Sequence, residues 1–334
     1  MIALKKKYGN NYERRPSNLR ELFKNRKQTP SEKLITTYLK KEKIPFKTNI
    51  IKDNLEFDIV LPDENNPKYV IEVSDIKPTT YNQRLKIIKL YYQKLLFTNA
   101  NHIAILRAKA TTNKKVYRLS KITKDFLEKE KIILLSLENI DNHMSKLLES
   151  IKNNENINQI EKFVFNKKRL YDSKRGCITQ SKKIDKNEQK LNKLLMGIGG
   201  SPKGPSILNV KDDCYICVDN YEEYKNTNIA YEITSSNSNN SLRALAGKIL
   251  LYKIFNKNLK FVVIINNANI FNNTSLKFLK DLSDYIILKK SFNKEGLKKA
   301  KESITQVCQE HNSYQKEQGL ISPDRHRDKE QVYL

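Results

Sequence analysis

The sequence is poor in the residues that mark several common protein classes. It has four cysteines, nine glycines, nine prolines and no tryptophan among 334 residues. So few cysteines, without regular spacing, argue against a disulfide framework and favour a reducing cytoplasm. So little glycine and proline argues against fibrous and low-complexity material. The chain start lacks the long apolar core of a secretory signal, and no apolar run has transmembrane length, so no membrane association is expected.

Acidic residues are scarce relative to basic ones. Lysine and arginine number 63 against 37 aspartates and glutamates, which gives a net charge of +26 and an isoelectric point near 9.7. An imbalance of this size predicts a polyanionic partner. The alternative is a lysine-rich chain whose charge lies on solvated helix faces. The length and the 38% of hydrophobic residues are enough for two domains with modest cores.

A predicted β-hairpin between residues 57 and 74 organises the first half. Two runs rich in β-branched and aromatic residues, 57–61 and 69–74, flank a polar connection that contains two prolines. Asp58 opens the first strand and Glu72 lies near the end of the second, so a twisted hairpin would bring both carboxylates to one sheet edge. Mg²⁺ takes oxygen ligands, usually one or two carboxylates with substrate phosphate and water. The pattern therefore outlines a metal site.

The elements around this hairpin predict a mixed α/β unit. Thr29 or Ser31 caps a helix that carries Glu32 in its first turn, where a carboxylate either serves the site or complements the helix dipole. Further strands are expected at 48–51, 102–106 and 132–135, and further helices at 85–96 and 120–131. Helix, three strands, helix, strand, helix, strand is typical of a mixed sheet with helical crossovers.

The order of these residues resembles the PD-(D/E)XK nuclease superfamily over residues 29–140. Glu32 precedes Asp58, which opens an apolar strand, and Glu72 to Ser74 close the next strand before a helix. The very-short-patch-repair and restriction-endonuclease-like branches are the most similar. The resemblance implies an α/β domain with a mixed central sheet flanked by helices. It also implies Mg²⁺ bound by the two strand carboxylates, with Mn²⁺ as a substitute and Glu32 assisting.

One residue departs from the family pattern. The usual lysine, two positions after the glutamate, is Ser74 here. That lysine supplies a preorganised positive charge for phosphoryl chemistry. Lys77, or Lys86 and Lys89 on the next helix, could substitute for it. The alternative is a decayed active site that retains only DNA binding.

The second half repeats the landmarks of the first half. Glu232 follows Glu72 by 160 residues (232 − 72), and Tyr252 follows Tyr92 by the same interval (252 − 92). Each glutamate is followed by a polar loop, a helix and an apolar strand. An internal repeat of this kind predicts tandem duplication or two related domains.

The upstream landmarks recur as well. Asp213 opens an apolar strand as Asp58 does, and Glu188 precedes a helix as Glu32 does. Glu32 and Asp58 are 26 residues apart (58 − 32), and Glu188 and Asp213 are 25 apart (213 − 188). A small hydroxyl, that of Thr234, again stands at the position of the missing lysine. A hydroxyl can hold a water but supplies no positive charge.

The predicted organisation has five parts. They are a basic arm (1–29), a first nuclease-like domain (30–140), a basic connector (141–186), a second nuclease-like domain (187–312) and a polar tail (313–334). Residues assigned to the chemistry are Glu32, Asp58, Glu72, Ser74, Lys77, Glu188, Asp213, Glu232 and Thr234; the metal ligands are Asp58, Glu72, Asp213 and Glu232. Residues expected to contact nucleic acid are Lys5, Lys6, Lys7, Arg14, Arg15, Arg84, Lys86, Lys167, Lys168, Arg169, Arg175 and Arg243.

These patterns predict a cytoplasmic, Mg²⁺-dependent DNA endonuclease of the restriction type. The metal would activate a water for in-line attack on a phosphodiester of duplex DNA. One chain would act as a pseudo-dimer, or two chains as a homodimer, without a small-molecule cofactor. Two alternatives stay open: a noncatalytic nucleic-acid-binding protein on degenerate nuclease folds, and a structure-specific or RNA nuclease.

Overall fold

A computed structural model gives the fold. It describes residues 27–317 except 54, 113–114, 154–185, 212–213, 226, 236–237, 256–258 and 267–272. The elements of the first half are α1 (Pro30–Lys41), β1 (Lys47–Lys52), β2 (Leu55–Leu61), β3 (Tyr69–Ser74), α2 (Thr80–Leu96), β4 (Asn101–Leu106), β5 (Lys109–Thr112), β6 (Lys115–Arg118), α3 (Lys121–Lys129), β7 (Ile133–Ser136) and α4 (Ile140–Asn153).

The second half begins after the connector. Its elements are α5 (Lys186–Met196), β8 (Ser206–Lys211), β9 (Cys214–Val218), β10 (Asn220–Tyr224), β11 (Thr227–Thr234), α6 (Asn239–Phe255), β12 (Leu259–Ile265), α7 (Asn273–Leu282), β13 (Tyr285–Leu288) and α8 (Lys294–Glu317). The mixed α/β class expected from the sequence is confirmed.

Four strands of the first sheet, β2, β3, β4 and β7, have the same order and directions as the four strands of the second sheet. The first sheet has the order β1-β2-β3-β4-β7, antiparallel from β1 to β3 and parallel from β3 to β7. In the second sheet β10 runs antiparallel to β11, and β11, β12 and β13 are parallel. The antiparallel ribbon of β8 and β9 precedes β10. Asp219 is the single residue between β9 and β10. The repeat seen in the sequence is therefore also a repeat of topology.

Three features differ from the sequence expectations. The short hairpin of β5 and β6 is inserted between β4 and α3 and was not predicted. Helix α4 lies within the segment assigned to the connector, and its Leu147 and Ile151 pack into the first half's core. Cys217 is disulfide-bonded, which corrects the expectation that the cysteines stay reduced, because sequence spacing does not show which residues the fold brings together.

Strand β3 shows how the sequence divides between two faces of the first sheet. All six of its residues are buried. Ile71 and Val73 belong to the core under α1 and α4, while Val70 belongs to the core on the opposite face. Side chains alternate along a strand, so Glu72 points to the same face as Val70, towards α2. A sheet covered by helices on both faces accounts for the continuous apolar run in the sequence.

The two halves share one hydrophobic core. It runs from the first sheet through α2 and α6 to the second sheet. Tyr92 of α2 packs on Phe278 of α7, with ring centroids 4.2 Å apart, and its hydroxyl donates to Asp281 at 2.9 Å. At the crossing of α2 and α6, Gly247 lies against the backbone of Arg84, where a Cβ atom would collide with the Arg84 carbonyl. The missing side chain is what permits this close approach.

No helix among the described residues has the length and apolar character needed to cross a membrane.

We expect Gly247→Ala to destabilise the protein by about 1–3 kcal/mol, the usual cost of overpacking. Alanine favours a helix over glycine by roughly 1 kcal/mol, so the collision with Arg84 has to outweigh that gain. Urea unfolding measures the balance, with Lys277→Ala on the exposed side of α7 as a control. A Gly247→Ala protein as stable as the parent would show that α2 and α6 do not cross this closely.

Candidate active site

The hairpin of β2 and β3 places two carboxylates opposite each other. Its register pairs Ile59 with Ile71, which sets Asp58 against Glu72 one position further along. Both side chains are buried, with 2% of Asp58 and none of Glu72 exposed. The backbone N–H of Val73 donates to Asp58 Oδ2 at 2.9 Å, which fixes the orientation of that carboxyl. The predicted approach of the two carboxylates is confirmed.

Helix α2 supplies two ammonium groups to this pair. Lys86 Nζ lies 2.5 Å from Glu72 Oε1, and Lys89 Nζ lies 2.6 Å from Glu72 Oε2. Lys89 also reaches Asp58 Oδ1 at 3.3 Å and so bridges the two carboxyl groups. Gln93, one turn further on, donates from its Nε2 to Glu72 Oε2 at 3.1 Å. We call Asp58, Glu72, Lys86 and Lys89 the first site.

The two carboxyl groups of the first site differ in proton affinity. Burial pushes the pKa of Glu72 up, but the charges of Lys86 and Lys89 outweigh burial and lower this pKa to about 2. Burial and then the charge of Glu72 raise the pKa of Asp58 to about 7, against the opposing effect of the lysines. Burial tends to lower the pKa of Lys89, but Glu72 and Asp58 raise it well above its usual range. One carboxylate and one ammonium group therefore stay charged at neutral pH, while Asp58 titrates.

The first site opens into a cavity of about 380 Å³. Besides Asp58 and the two lysines, the cavity is lined by Glu32, Ser74 and, from α6 of the other half, Asn240 and Arg243. We call it the shared cavity. Glu32 lines it while also completing a capping box, since its Oε2 accepts from the Thr29 N–H at 3.1 Å. The capping and site interpretations of Glu32 are thus compatible.

Two of the three candidate lysines lie at the first site, and the third does not. Lys86 and Lys89 bind the carboxylates, whereas Lys77 Nζ lies over the ring of Tyr117, 3.8 Å from its centroid. Ser74, at the position of the family's lysine, is buried at the end of β3 and lines the shared cavity. The helix, rather than the strand, brings positive charge to this site.

A second site of the same construction lies in the other half. The register of β10 and β11 pairs Asn220 with Tyr231, which sets Asp219 opposite Glu232. The N–H of Ile233 donates to Asp219 Oδ2 at 2.6 Å, as that of Val73 does to Asp58. Lys248 of α6 donates to Glu232. We call Asp219, Glu232 and Lys248 the second site.

Burial also governs the titration of the second site. It raises the pKa of Glu232 to about 7; the charge of Lys248 opposes this shift, and that of Asp219 adds to it. Glu188 is the third residue of α5, as Glu32 is the third residue of α1. Thr234 ends β11 as Ser74 ends β3. The equivalence of the halves thus extends to these side chains.

Sequence reasoning missed Asp219, Lys248 and Gln93. Asp213, chosen as the partner of Glu232, lies outside the described residues, and Asp219 holds the position opposite Glu232. The signal that could have identified Asp219 is its separation from Glu232 along the chain, which is close to the separation of Asp58 from Glu72. Other predicted residues that lie outside the described part of the chain are Lys5, Lys6, Lys7, Arg14, Arg15, Lys167, Lys168, Arg169 and Arg175.

The donor chemistry of the first site fits the Mg²⁺ that the family resemblance implies. Asp58 and Glu72 offer hard oxygen ligands, and the pKa of Asp58 is raised by burial and then by the charge of Glu72, both of which a bound cation would oppose. Within the described ranges, no three His, Cys, Asp or Glu side chains are grouped to hold a metal. Water and phosphate would have to complete the ligand set, and the ion would compete with Lys86 and Lys89 for carboxylate oxygens.

The raised pKa of Asp58 predicts a pH-dependent effect of Asp58→Asn. The folded protein holds this proton more tightly than the unfolded chain, where the pKa is 3.8 instead of about 7. The stabilisation that the proton on Asp58 provides is therefore complete below about pH 4 and is lost as the pH rises through 7. In EDTA at about pH 8 we expect Asp58→Asn to be more stable than the parent, by on the order of 1 kcal/mol per unit of the shift.

Urea unfolding at several pH values tests this expectation, and the gap should close below about pH 4. Glu149→Gln, which removes an exposed carboxyl from α4, controls for the loss of one charge. A parent protein that stays the more stable of the two at high pH would contradict the raised pKa.

Comparisons with protein-family models, with curated proteins and with solved structures found no match to this chain.

Proposed function

We propose that the protein is a metal-dependent endonuclease of the restriction type that hydrolyses phosphodiester bonds of duplex DNA, with two restriction-endonuclease-like domains in one chain. The observation that carries this proposal is the first site, where Lys89 bridges Asp58 and Glu72 beside a cavity. A carboxylate pair with an adjacent ammonium group is the set that the family resemblance requires. The net charge of +26 suits a polyanionic substrate.

The residues of the first site have separable roles. Glu72 stays ionised and holds Lys86 and Lys89 in place. Lys89 keeps its proton throughout the physiological range, so it supplies the fixed positive charge that Ser74 lacks. Asp58 is held by the Val73 N–H and directs its other oxygen towards Lys89. Mg²⁺, when held by Asp58 and Glu72, would polarise the phosphoryl group and favour formation of the attacking nucleophile.

The alternative is a noncatalytic nucleic-acid-binding protein. One observation favours it: both oxygens of Glu72 already accept hydrogen bonds from ammonium or amide groups. An ion-paired cluster of this kind could serve stability alone. Cleavage assays with Mg²⁺, Mn²⁺ or EDTA separate the two functions, because a noncatalytic protein would bind duplex DNA without cutting it under any of these conditions.

We expect Lys89→Gln to lower the rate of Mg²⁺-dependent DNA cleavage by about a hundredfold or more, the usual effect of removing one preorganised charge donor. Glutamine cannot supply the positive charge between Asp58 and Glu72. Duplex binding, measured by fluorescence anisotropy, should change little. Lys94→Gln on the same helix is the control, since Lys94 pairs with Glu130. Equal losses of activity in both variants would argue against a catalytic role for Lys89.

The two sites predict that each cuts one strand. We expect Asp58→Asn and Asp219→Asn each to leave a nicking enzyme, and the two variants to spare opposite strands of an asymmetrically labelled duplex. Asp213→Asn is the control and should cut both strands, because Asp219 lies opposite Glu232. An Asp213→Asn protein that only nicks would restore Asp213 as the site residue.

A further inference from the structure

We propose that each site is completed by an arginine from the opposite half. Arg243 of α6 would bind a phosphodiester oxygen in the shared cavity of the first site, and Arg84 of α2 would do so at the second site. The nature of this ligand rests on the proposed function. The assignment of each arginine to the site of the opposite half rests on the packing of α2 against α6.

The two arginines occupy equivalent positions. Helices α2 and α6 each have 17 residues. Counted from Thr80 and from Asn239, the arginine is the fifth residue of each helix and the lysine that binds the site glutamate is the tenth. Five residues turn an α-helix by about 140° beyond a full turn, so the arginine and the lysine lie on different faces. Each helix thus directs its lysine to its own half and its arginine to the other.

Arg243 lines the shared cavity and has one donor without a partner in the described part of the chain. It lines this cavity with Asp58 and Glu32, although it belongs to the second half. Its Nε is buried and has no hydrogen-bond partner among the described residues. The guanidinium carbon lies 5.9 Å from the ring centroid of Phe278, which supports one side of the group. A buried donor without a partner is unusual, and an anion bound in the shared cavity would offer an acceptor to the guanidinium group.

Arg84 makes the reciprocal approach. It packs beside Gly247 at the helix crossing, within the electrostatic reach of Glu232. Burial lowers the pKa of Arg84, and the charge of Glu232 opposes that shift. Lys248 is the lysine that contacts Glu232 among the described residues. Arg84, at the place on α2 that Arg243 has on α6, would contact a phosphodiester oxygen at the second site.

Arginine suits this role better than lysine. A guanidinium group presents several N–H donors in a plane and binds two phosphate oxygens at once. In the first site Lys86 and Lys89 are held in place by Glu72. Arg243 would contact a strand that enters the shared cavity, whose lining also includes Glu56, a carboxylate that acts electrostatically on Arg243. The lysines would thus order the carboxylates, and the arginines would hold the substrate.

Strand mapping with full-length Arg243→Gln and Arg84→Gln tests whether each arginine serves the site of the opposite half. On an asymmetrically labelled duplex with Mg²⁺, we expect Arg243→Gln to slow cleavage of the strand that Asp58→Asn also spares. Arg84→Gln should slow cleavage of the strand that Asp219→Asn spares. The opposite assignment, in which each arginine affects the site of its own half, would overturn the proposal. So would an equal loss on both strands.

A binding measurement without metal separates this proposal from the proposed function. In EDTA, anisotropy with a short labelled duplex should show about tenfold weaker binding for Arg243→Gln, as expected for one lost charge-assisted hydrogen bond. The slope of log affinity against log salt should fall by about 0.9. Arg243→Lys should retain part of the affinity. Lys277→Gln, on the exposed side of α7, is the control.

The outcomes remain distinct if the parent protein cuts nothing. The endonuclease proposal would then fail, while weaker binding by Arg243→Gln relative to Lys277→Gln would still support an anion site at Arg243. Binding by Arg243→Gln equal to that of the control would overturn that site. Thermal unfolding followed by circular dichroism checks that each variant is folded at the assay temperature.

Discussion

Two carboxylates buried side by side need positive charge within reach, and the first half is arranged to provide it. Asp58 and Glu72 face each other across β2 and β3, where an unpaired charge would be costly. Lys86 and Lys89 meet this need only because α2 lies along that face of the sheet. The position of α2 in turn sets the surface that packs on α6. The electrostatics of one hairpin thus influence how the two halves of the chain meet.

In the second half, a lysine of α6 brings positive charge to a carboxylate pair of the same kind. Asp219 and Glu232 repeat the geometry of the first pair, including the backbone donor that holds the aspartate. Lys248 is the lysine of α6 that binds Glu232. Hydrophobic packing joins the halves through a common core to which α2 and α6 both contribute. The lysines of the two sites therefore lie on the same pair of helices that joins the halves.

Much of the fold could be predicted because periodicity and turn residues act locally. The β2–β3 hairpin, a cap at Thr29 or Ser31 and the strand β12 all follow from such signals, and the structure places the cap at Thr29. Asp213 was chosen because it opens an apolar strand, but it is 19 residues from Glu232 (232 − 213), whereas Asp58 and Glu72 are 14 apart (72 − 58). Asp219 is 13 residues from Glu232 (232 − 219), as a short hairpin requires.

Other parts of the site depend on contacts between distant segments. Periodicity predicts α2 but does not show which of its lysines reach the sheet, since that depends on how the helix is rotated against β3. The approach of Arg243 to the first site joins residues that are far apart in the chain, and no local pattern reports such a contact. The insertion of β5 and β6 lacks a strong apolar alternation and gave no strand signal.

The helix crossing shows where the two halves differ. Counted from the first residue of each helix, Gly247 of α6 corresponds to Ile88 of α2, which is buried in the common core. Two copies of the first half would bring isoleucine to both sides of the crossing and force the helices apart. Two copies of the second half would bring glycine to both sides and leave a void. Neither half could form this interface with itself, so the close crossing of α2 and α6 requires two helices that differ at this position.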